Sequence, residues 1–433
     1  YSTLYSIRES PITEGVIWTG SNDGVISITR DGGKTWKNVT PKKLPKGGRV
    51  ESIAASKSNP GKAYIAVDRH LLGDAKPYLY KTNNYGKTWE LISSGIPSDF
   101  TARVLREDPV REGLLFAGTE FGMFVSFNDG KSWESFQQNL PVTPITDIKI
   151  FRGDLILSTM GRSFWILDNI TSLRQKEINS LGNNAALFKP DNTIRYRYPK
   201  GTGRTGAAQY PRTSVIIDYY LPKATTNVQL EILDAQNNSV VTILNGKSSE
   251  KEVSNMNLSQ VFRYVDRRLS TKSGINRFHW DLRQKGAWSP NKSRSFRNGP
   301  MVAPGTYTAK LTVNGATFAQ TFEILMDPRV EKGGLSIKDI EGQISMQQKM
   351  QDLLSDARKL QAQLEKDTSS KAKELLKMLK NDSGAYPQQM LVAQISYVYF
   401  MISGADQVPG KEAENRFVDL TKQLQEIKQK LND

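Results

Sequence analysis

The chain contains no cysteine, which excludes disulfides and thiolate metal sites. Its two histidines, His70 and His279, are too few for a histidine-rich zinc site. No metal and no cofactor are therefore expected. No apolar run approaches the ~20 residues a membrane helix needs, so no membrane span is expected. Basic residues outnumber acidic ones, 59 to 44, for a formal charge of +15. They are scattered, and no dense basic block forms, so nucleic acid is not an expected partner. The start lacks a Met, a basic n-region and an apolar signal core. Tyr1 reads as a processed or excised start, and the 433 residues as a portion of a longer protein with two to four domains here. Hydrophobic residues make up 38% and charged residues 24%, as in globular proteins. A cysteine-free, strand-rich chain fits a bacterial extracytoplasmic location (periplasm, cell surface or secreted).

One phrase occurs three times: TRDGGKTW at 29–36, TNNYGKTW at 82–89 and SFNDGKSW at 126–133. The pattern is Ser/Thr, any, Asp/Asn, any, Gly, any, Ser/Thr, Trp. Asp31, Asn84 and Asn128 can accept hydrogen bonds from the backbone of their own turn. Gly33, Gly86 and Gly130 permit the positive φ that such a turn needs. Trp36, Trp89 and Trp133 open the following strand, and each is expected to bury its ring. Pro11, Pro60 and Pro109 fall at equal intervals, each between two strand-like segments. Four short strands per unit at this period match propeller blades. A fourth unit, ITDIKIF, DLILSTM and SFWILDN, supplies three strands and lacks an outer one. The expected fold class is mainly β: a partial β-propeller of about four blades, an immunoglobulin/fibronectin-like β-sandwich and a C-terminal α-helical bundle.

The phrases resemble Asp boxes, or BNR repeats. The stretch from LLFAGTEFGMFVSFNDGKSW to STMGRSFWILDNITSLRQ resembles the last blades of bacterial sortilin-like, or glycosyl hydrolase BNR-repeat, proteins. PYLYKTNNYGKTW, GINRFHWDLR and VAPGTYTAKLTVNG followed by DPRV fit the same family, in the same order. The resemblance implies a propeller at 1–172, the sandwich at 185–328 and the helical bundle at 335–433. It also implies an N-terminal remainder that completes the propeller. The hydrolase label of that family rests on the Asp box, which is a structural turn.

In a propeller, the turns between strands 2 and 3 share one face, opposite the Asp boxes. Here they are SNDG (21–24), VDRHLLGDAKPY (67–78), GTEFG (118–122) and TMGRS (159–163). Asp23, Arg69, His70, Asp74, Lys76, Glu120 and Arg162 are the candidate ligand-binding residues. Asp23 and Glu120 are the candidate catalytic carboxyl pair, although a blade lies between them. Arg69, Arg103, Arg106 and Arg162 show no spacing that marks a sialidase-type arginine triad. The expected role is a non-catalytic scaffold that binds a peptide, protein or glycan through this face. The alternative is a glycan-active hydrolase completed by upstream blades. A third reading is an assembly factor that captures an acidic partner segment.

Segments SVIIDYYL, NVQLEILD, VVTIL, INRFHWDLR, GTYTAKLTV and TFAQTFEIL alternate as strands, with Trp280 and Tyr307 as core anchors. Two loops, 194–212 and 288–300, interleave basic and aromatic residues, a composition suited to sugar stacking or phosphate contact. From Ser336 the apolar period becomes helical. Further helices are expected near 369–380, 387–403 and 410–431, with Pro387 and Pro409 at helix starts.

Overall fold

The computed structural model describes residues 2–175, 181–197, 213–244, 268–291, 299–382 and 387–433. The chain forms two compact units, Tyr1–Ser180 and Leu181–Asp433. It is mainly β with a C-terminal helical region.

The first unit is a series of antiparallel meanders, here called blades. Blade 1 is β1 (Leu4–Glu9), β2 (Ile17–Ser21), β3 (Ile26–Thr29) and β4 (Lys37–Asn38). Blade 2 is β5 (Arg49–Ala55), β6 (Ala63–Asp68), β7 (Tyr78–Thr82) and β8 (Glu90–Leu91). Blade 3 is β9 (Ala102–Glu107), β10 (Leu115–Thr119), β11 (Gly122–Ser126) and β12 (Glu134–Ser135). Blade 4 has only β13 (Ile145–Phe151), β14 (Asp154–Thr159) and β15 (Phe164–Leu167), followed by the short helix α1 (Thr171–Arg174). The first strands of neighbouring blades touch, β1 to β5, β5 to β9 and β9 to β13.

Each repeated phrase folds into the same turn. Thr35 N donates to Asp31 Oδ1 at 2.9 Å, Thr88 N to Asn84 Oδ1 at 2.9 Å, and Ser132 N to Asn128 Oδ1 at 3.0 Å. Gly33, Gly86 and Gly130 donate their N–H to the Thr29, Thr82 and Ser126 hydroxyls, with φ of +93°, +76° and +84°. The central polar side chains are thus spent within the turn.

The tryptophans divide. Trp89 Nε1 donates to Val39 O of the preceding blade at 2.6 Å, and Trp133 Nε1 to Ile92 O at 2.5 Å. Trp133 is 4% exposed. Trp36, expected to be buried, is 48% exposed and donates instead to Gly33 O of its own turn at 3.1 Å. The difference is positional: Trp89 and Trp133 reach carbonyls that follow the outer strand of the preceding blade, and among the described residues no blade precedes blade 1.

Every first strand carries a β-bulge at the same place. The register to the second strand slips between Leu4 and Ser6, Val50 and Ser52, Ala102 and Val104, and Ile145 and Asp147. Tyr5, Glu51, Arg103 and Thr146 are the extra residues. Such bulges re-aim one side chain and are frequent beside functional sites. Small residues follow on the second strands, at Gly20, Ala66, Gly118 and Ser158. A Cβ on Gly20 would overlap Val50 Cγ1, and one on Gly118 would lie 2.7 Å from Ile145, so the packing between blades excludes larger side chains there.

The second unit has two sheets around one apolar cluster. The three-stranded sheet is β16 (Ala186–Leu187), β18 (Val215–Leu221) and β21 (Gly274–Trp280). The five-stranded sheet runs β17 (Thr193–Arg195), β23 (Ala316–Met326), β22 (Gly305–Val313), β19 (Val228–Leu233) and β20 (Ser239–Leu244), with β17 parallel to β23. Ile217, Leu230, Trp280, Leu311 and Phe322 are among the buried residues between them. Tyr307 joins the same core, 6.0 Å from the Trp280 ring centre. Alternating burial along β19 and β22 is what a sheet with one covered face demands.

DPRV follows the last strand, which ends at Met326, and starts a helix. Asp327 caps α2 (Pro328–Lys332), with Pro at the first helical position. The others are α3 (Ile337–Leu364), α4 (Ser370–Leu379), α5 (Leu391–Ser403) and α6 (Lys411–Asn432). A reciprocal Ser336–Asp339 capping box starts α3. Pro387 is not at a helix start: α5 begins four residues later, behind Met390. Leu354, Leu375, Ile395, Leu420 and Leu424 share the helical core. Arg195, at the end of β17, is fully buried and pairs with Asp406 at 2.8 Å, which also takes Arg197 at 2.7 Å. Gln343 and Gln347 of α3 each donate to Ile402 O at 2.8 Å. The end of α5 is thereby tied to α3 through the Ile402 carbonyl, and Arg197 Nη1 donates to Ser403 O at 2.6 Å, so these two terminal carbonyls are satisfied. Among the described residues no helix is long and apolar enough to cross a membrane. Of the two loops singled out above, 198–212 and 292–298 lie outside the described residues.

Candidate functional site

The turns between the second and third strands carry the candidate residues, and the structure treats them unequally. Arg69 is buried and turned away from solvent. Its Nη1 donates to Pro45 O, Lys46 O and Gly47 O at 3.0, 2.5 and 2.6 Å, and its Nε pairs with Asp74 at 3.0 Å. Burial opposes ionisation of Asp74, but hydrogen bonds from Tyr78 and Arg69 outweigh it and hold the carboxyl below its usual value. Arg69 and Asp74 thus fasten this turn to the connection between blades 1 and 2. Lys76 is exposed. Asp23 is exposed and takes a hydrogen bond from the Ser21 hydroxyl, which leads the causes that lower its pKa. Arg162 is exposed, its carbonyl accepting from Trp165 Nε1 at 2.9 Å.

His70 and Glu120 belong to a continuous charged row. His70 Nδ1 lies 2.7 Å from both oxygens of buried Asp68, and its N–H donates to the same carboxylate at 2.8 Å. Asp68 is 3.6 Å from Arg49, and Arg49 Nε donates to Glu51 at 2.7 Å. Glu51 is 3.8 Å from Arg103, whose Nε donates to Glu120 at 2.7 Å. Arg49 also covers the ring of Tyr5, 4.8 Å from its centre. Three of the four bulged residues (Tyr5, Glu51 and Arg103) therefore stand in this row. Burial is the main reason that the Glu51 carboxyl is pushed up, and the like charge of Asp68 adds to it; Arg49 opposes both.

Asp23 bonds to Ser21 and Glu120 to Arg103, and no contact among the described residues joins the two carboxyls. The arginines do not converge either: Arg69 holds a loop, Arg103 pairs with Glu120, Arg106 pairs with Asp147 at 2.6 Å, and Arg162 is exposed. Arg49, Glu51 and Asp68 were missed from sequence. Charged residues inside the apolar strand starts RVESI and ARVL were the available signal, because a bulge breaks the alternation there.

Leu71 is 81% exposed, Leu72 57%, Phe121 44% and Met160 55%. All four occupy the same set of turns. Phe121 is held against Phe100, ring centres 4.7 Å apart.

A second charged cluster joins blades 2 and 3 beside the third of the repeated turns. Asp129, at φ +60°, receives Lys62 and Lys81 at 3.1 Å each and the Tyr64 hydroxyl at 2.6 Å. Lys62 also meets Glu112 at 3.0 Å, and Tyr64 meets Glu107 at 2.9 Å. A cavity of about 560 Å³ adjoins it. Its charges are matched within the protein, as expected of a lock between blades.

No protein-family model matches the chain, and no curated protein matches it by sequence. Solved structures do. YCF48 from Cyanidioschyzon merolae is 16% identical over 39% of this chain and 54% of that one, with a TM-score of 0.30. A structure of YCF48 bound to D1 peptide is 13% identical over 76% of this chain and 84% of that one, with a TM-score of 0.31. The GH74 xyloglucanase from Xanthomonas campestris is 11% identical over 71% of this chain and 50% of that one, with a TM-score of 0.32. The chain thus spans about half the length of the first and the last of these. At such identities and scores, function has to be argued from the residues themselves.

Proposed function

We propose that the first unit is a binding module that takes up a protein or peptide segment on the face formed by the second-to-third-strand turns. The observation that carries this reading is the set of exposed apolar side chains, Leu71, Leu72, Phe121 and Met160, beside a salt-bridged row. Exposed apolar residues grouped on one rim mark contact surfaces, and a charged row beside them supplies orientation and specificity. His70, Glu120 and the row between them are the proposed polar contacts; Asp23, Lys76 and Arg162 are peripheral ones, and Arg69 and Asp74 support the turn.

In this reading the unit belongs to an Asp-box propeller with further blades, in a bacterial protein outside the cytoplasm. Trp36 supports further blades, since its two counterparts are covered by a preceding blade. The eight-stranded part of the second unit is read as an immunoglobulin/fibronectin-like sandwich, giving domains at 1–172, 185–328 and 335–433. A glycan-active hydrolase is the second reading. It is favoured by Glu51, a carboxyl pushed up chiefly by burial, as a general acid requires.

The test uses the whole chain immobilised and panned against a random dodecapeptide display library. Selected peptides should bind the chain and lose at least about tenfold in affinity, ~1.4 kcal/mol, to L71D/L72D/F121D. The L71D/L72D double variant, at the most exposed of these positions, should leave the thermal midpoint nearly unchanged and should already weaken the selected peptides, whereas F121D also gives up the Phe100 contact. Selected peptides that bind the triple variant equally well would overturn the assignment of the face. Turnover of nitrophenyl glycosides that disappears in E51Q would replace it with the hydrolase reading.

A further inference from the structure

The second unit carries a site unrelated to the turns of the first. Trp288 sits between two anchors. Its N–H donates to Ser355 Oγ at 3.0 Å and its carbonyl accepts from Arg358 Nη1 at 3.3 Å, both from α3. Upstream, Gln284 N donates to Pro300 O at 2.9 Å, and Arg283 Nη1 to Gly299 O at 2.9 Å. Gly299 has no room for a side chain, since a Cβ would lie 2.6 Å from Lys285 O. The backbone on which the indole stands is therefore fixed before any ligand arrives, which lowers the cost of ordering a site.

Trp288 lines a surface cavity of about 470 Å³ together with Lys359, Ala362, Gln363, Lys366 and Asp367. Positions 359, 362, 363 and 366 recur at helical spacing, so the α3 residues present a single face. Ala362 leaves space at its middle. Among the described residues the Trp288 Nε1, the Gln363 amide and the Lys366 ammonium make no hydrogen bond, and Lys359 has only a 4.0 Å contact with Asp356. Asp367 is already engaged, accepting from Ser369 N at 2.9 Å. The cavity therefore combines a half-buried aromatic plane, uncommitted donors and two ammonium groups against one carboxylate.

We propose that this cavity binds an acidic saccharide. The flat apolar face of the indole suits the C–H face of a pyranose ring. The Gln363 amide and Trp288 Nε1 match ring hydroxyls, and polar groups gathered around an aromatic face are what a saccharide site needs. Lys359 and Lys366 select a negative substituent, either a carboxylate or a sulfate. Trp288 and the other lining residues are about 70 positions apart in the chain, so nothing local in the sequence assembles the site.

The test is a fluorescence and calorimetric titration of the whole chain with a hexuronate tetrasaccharide, a sulfated tetrasaccharide, an uncharged hexose tetramer and inorganic phosphate. Saturable binding of one or both acidic sugars is expected, with the uncharged tetramer about tenfold weaker or worse. The arm that binds identifies the source of the charge. W288A should abolish the binding, and K359E/K366E, on an exposed helix face, should weaken it about tenfold without altering the melting curve. Added salt should weaken the acidic sugars and leave the uncharged one unaffected. No saturable binding, equal binding of the uncharged tetramer, or phosphate binding as tightly as the sugars would each overturn the proposal. So would acidic-sugar binding retained in K359E/K366E, a variant that remains informative if W288A fails to fold.

Discussion

Replacing Trp133 by Phe tests whether the repeated phrase joins one blade to the next. The indole N–H reaches Ile92 O of the preceding blade at 2.5 Å, and the ring is buried. Phe keeps most of the ring and removes the donor. A buried carbonyl left without a partner costs about 1–3 kcal/mol. The lost apolar area adds up to roughly 1 kcal/mol at about 25 cal/mol per Å². A loss of about 2–3 kcal/mol is expected. At about 2–4 °C per kcal/mol for a unit of this size, the midpoint should fall by about 4–12 °C. Trp89, half-buried with the same kind of bond to Val39 O at 2.6 Å, should lose about 1–2 kcal/mol when replaced by Phe. Trp36 is exposed and bonds only within its own turn, so W36F should stay within about 0.5 kcal/mol. Urea and thermal unfolding followed by circular dichroism give the three values. Equal losses for all three variants, or a larger loss for W36F than for W133F, would refute the reasoning, because the turn itself would then be the source of stability.

Two further outcomes are expected. Asp406→Ala should cost about 3–5 kcal/mol, because it leaves the buried Arg195 guanidinium uncompensated; amide exchange should quicken first at the end of α5, and unchanged protection there would count against this tie. Asp31 has its carboxyl drawn down to about 2, first by the Thr35 hydroxyl. Its contribution is therefore present above the unfolded value near ~3.9 and lost as pH falls through about 2. Asp31→Asn should remove this acid sensitivity, since Asn84 and Asn128 hold the same turn uncharged; an amide titration of Thr35 beside Thr88 and Ser132 reads the difference.

The candidate site was legible in part. His70 and Glu120 stand in the charged row, while among the described residues no contact joins Asp23 or Arg162 to it, and Arg69 faces a loop. Sequence position placed all of them on one set of turns. Side-chain direction depended on the bulges, which depend on how the first strands of adjacent blades pack. Glu51 and Arg103 look like ordinary strand residues until that packing is known. The same holds for Trp288, whose partners lie on a helix far along the chain.

By itself the sequence determined the repeated turn, because its bonds run between residues two to four apart: Thr29 to Gly33, Asp31 to Thr35, and their equivalents. It also determined strand number per blade and the helical period after Ser336, both set by local apolar spacing. Only the tertiary structure decided which tryptophan is covered, which charges meet and where cavities open. Those outcomes rest on contacts such as Trp133 with Ile92 and Arg195 with Asp406. They form between residues that no local bond brings together, so burial of the surrounding apolar surface has to assemble them first.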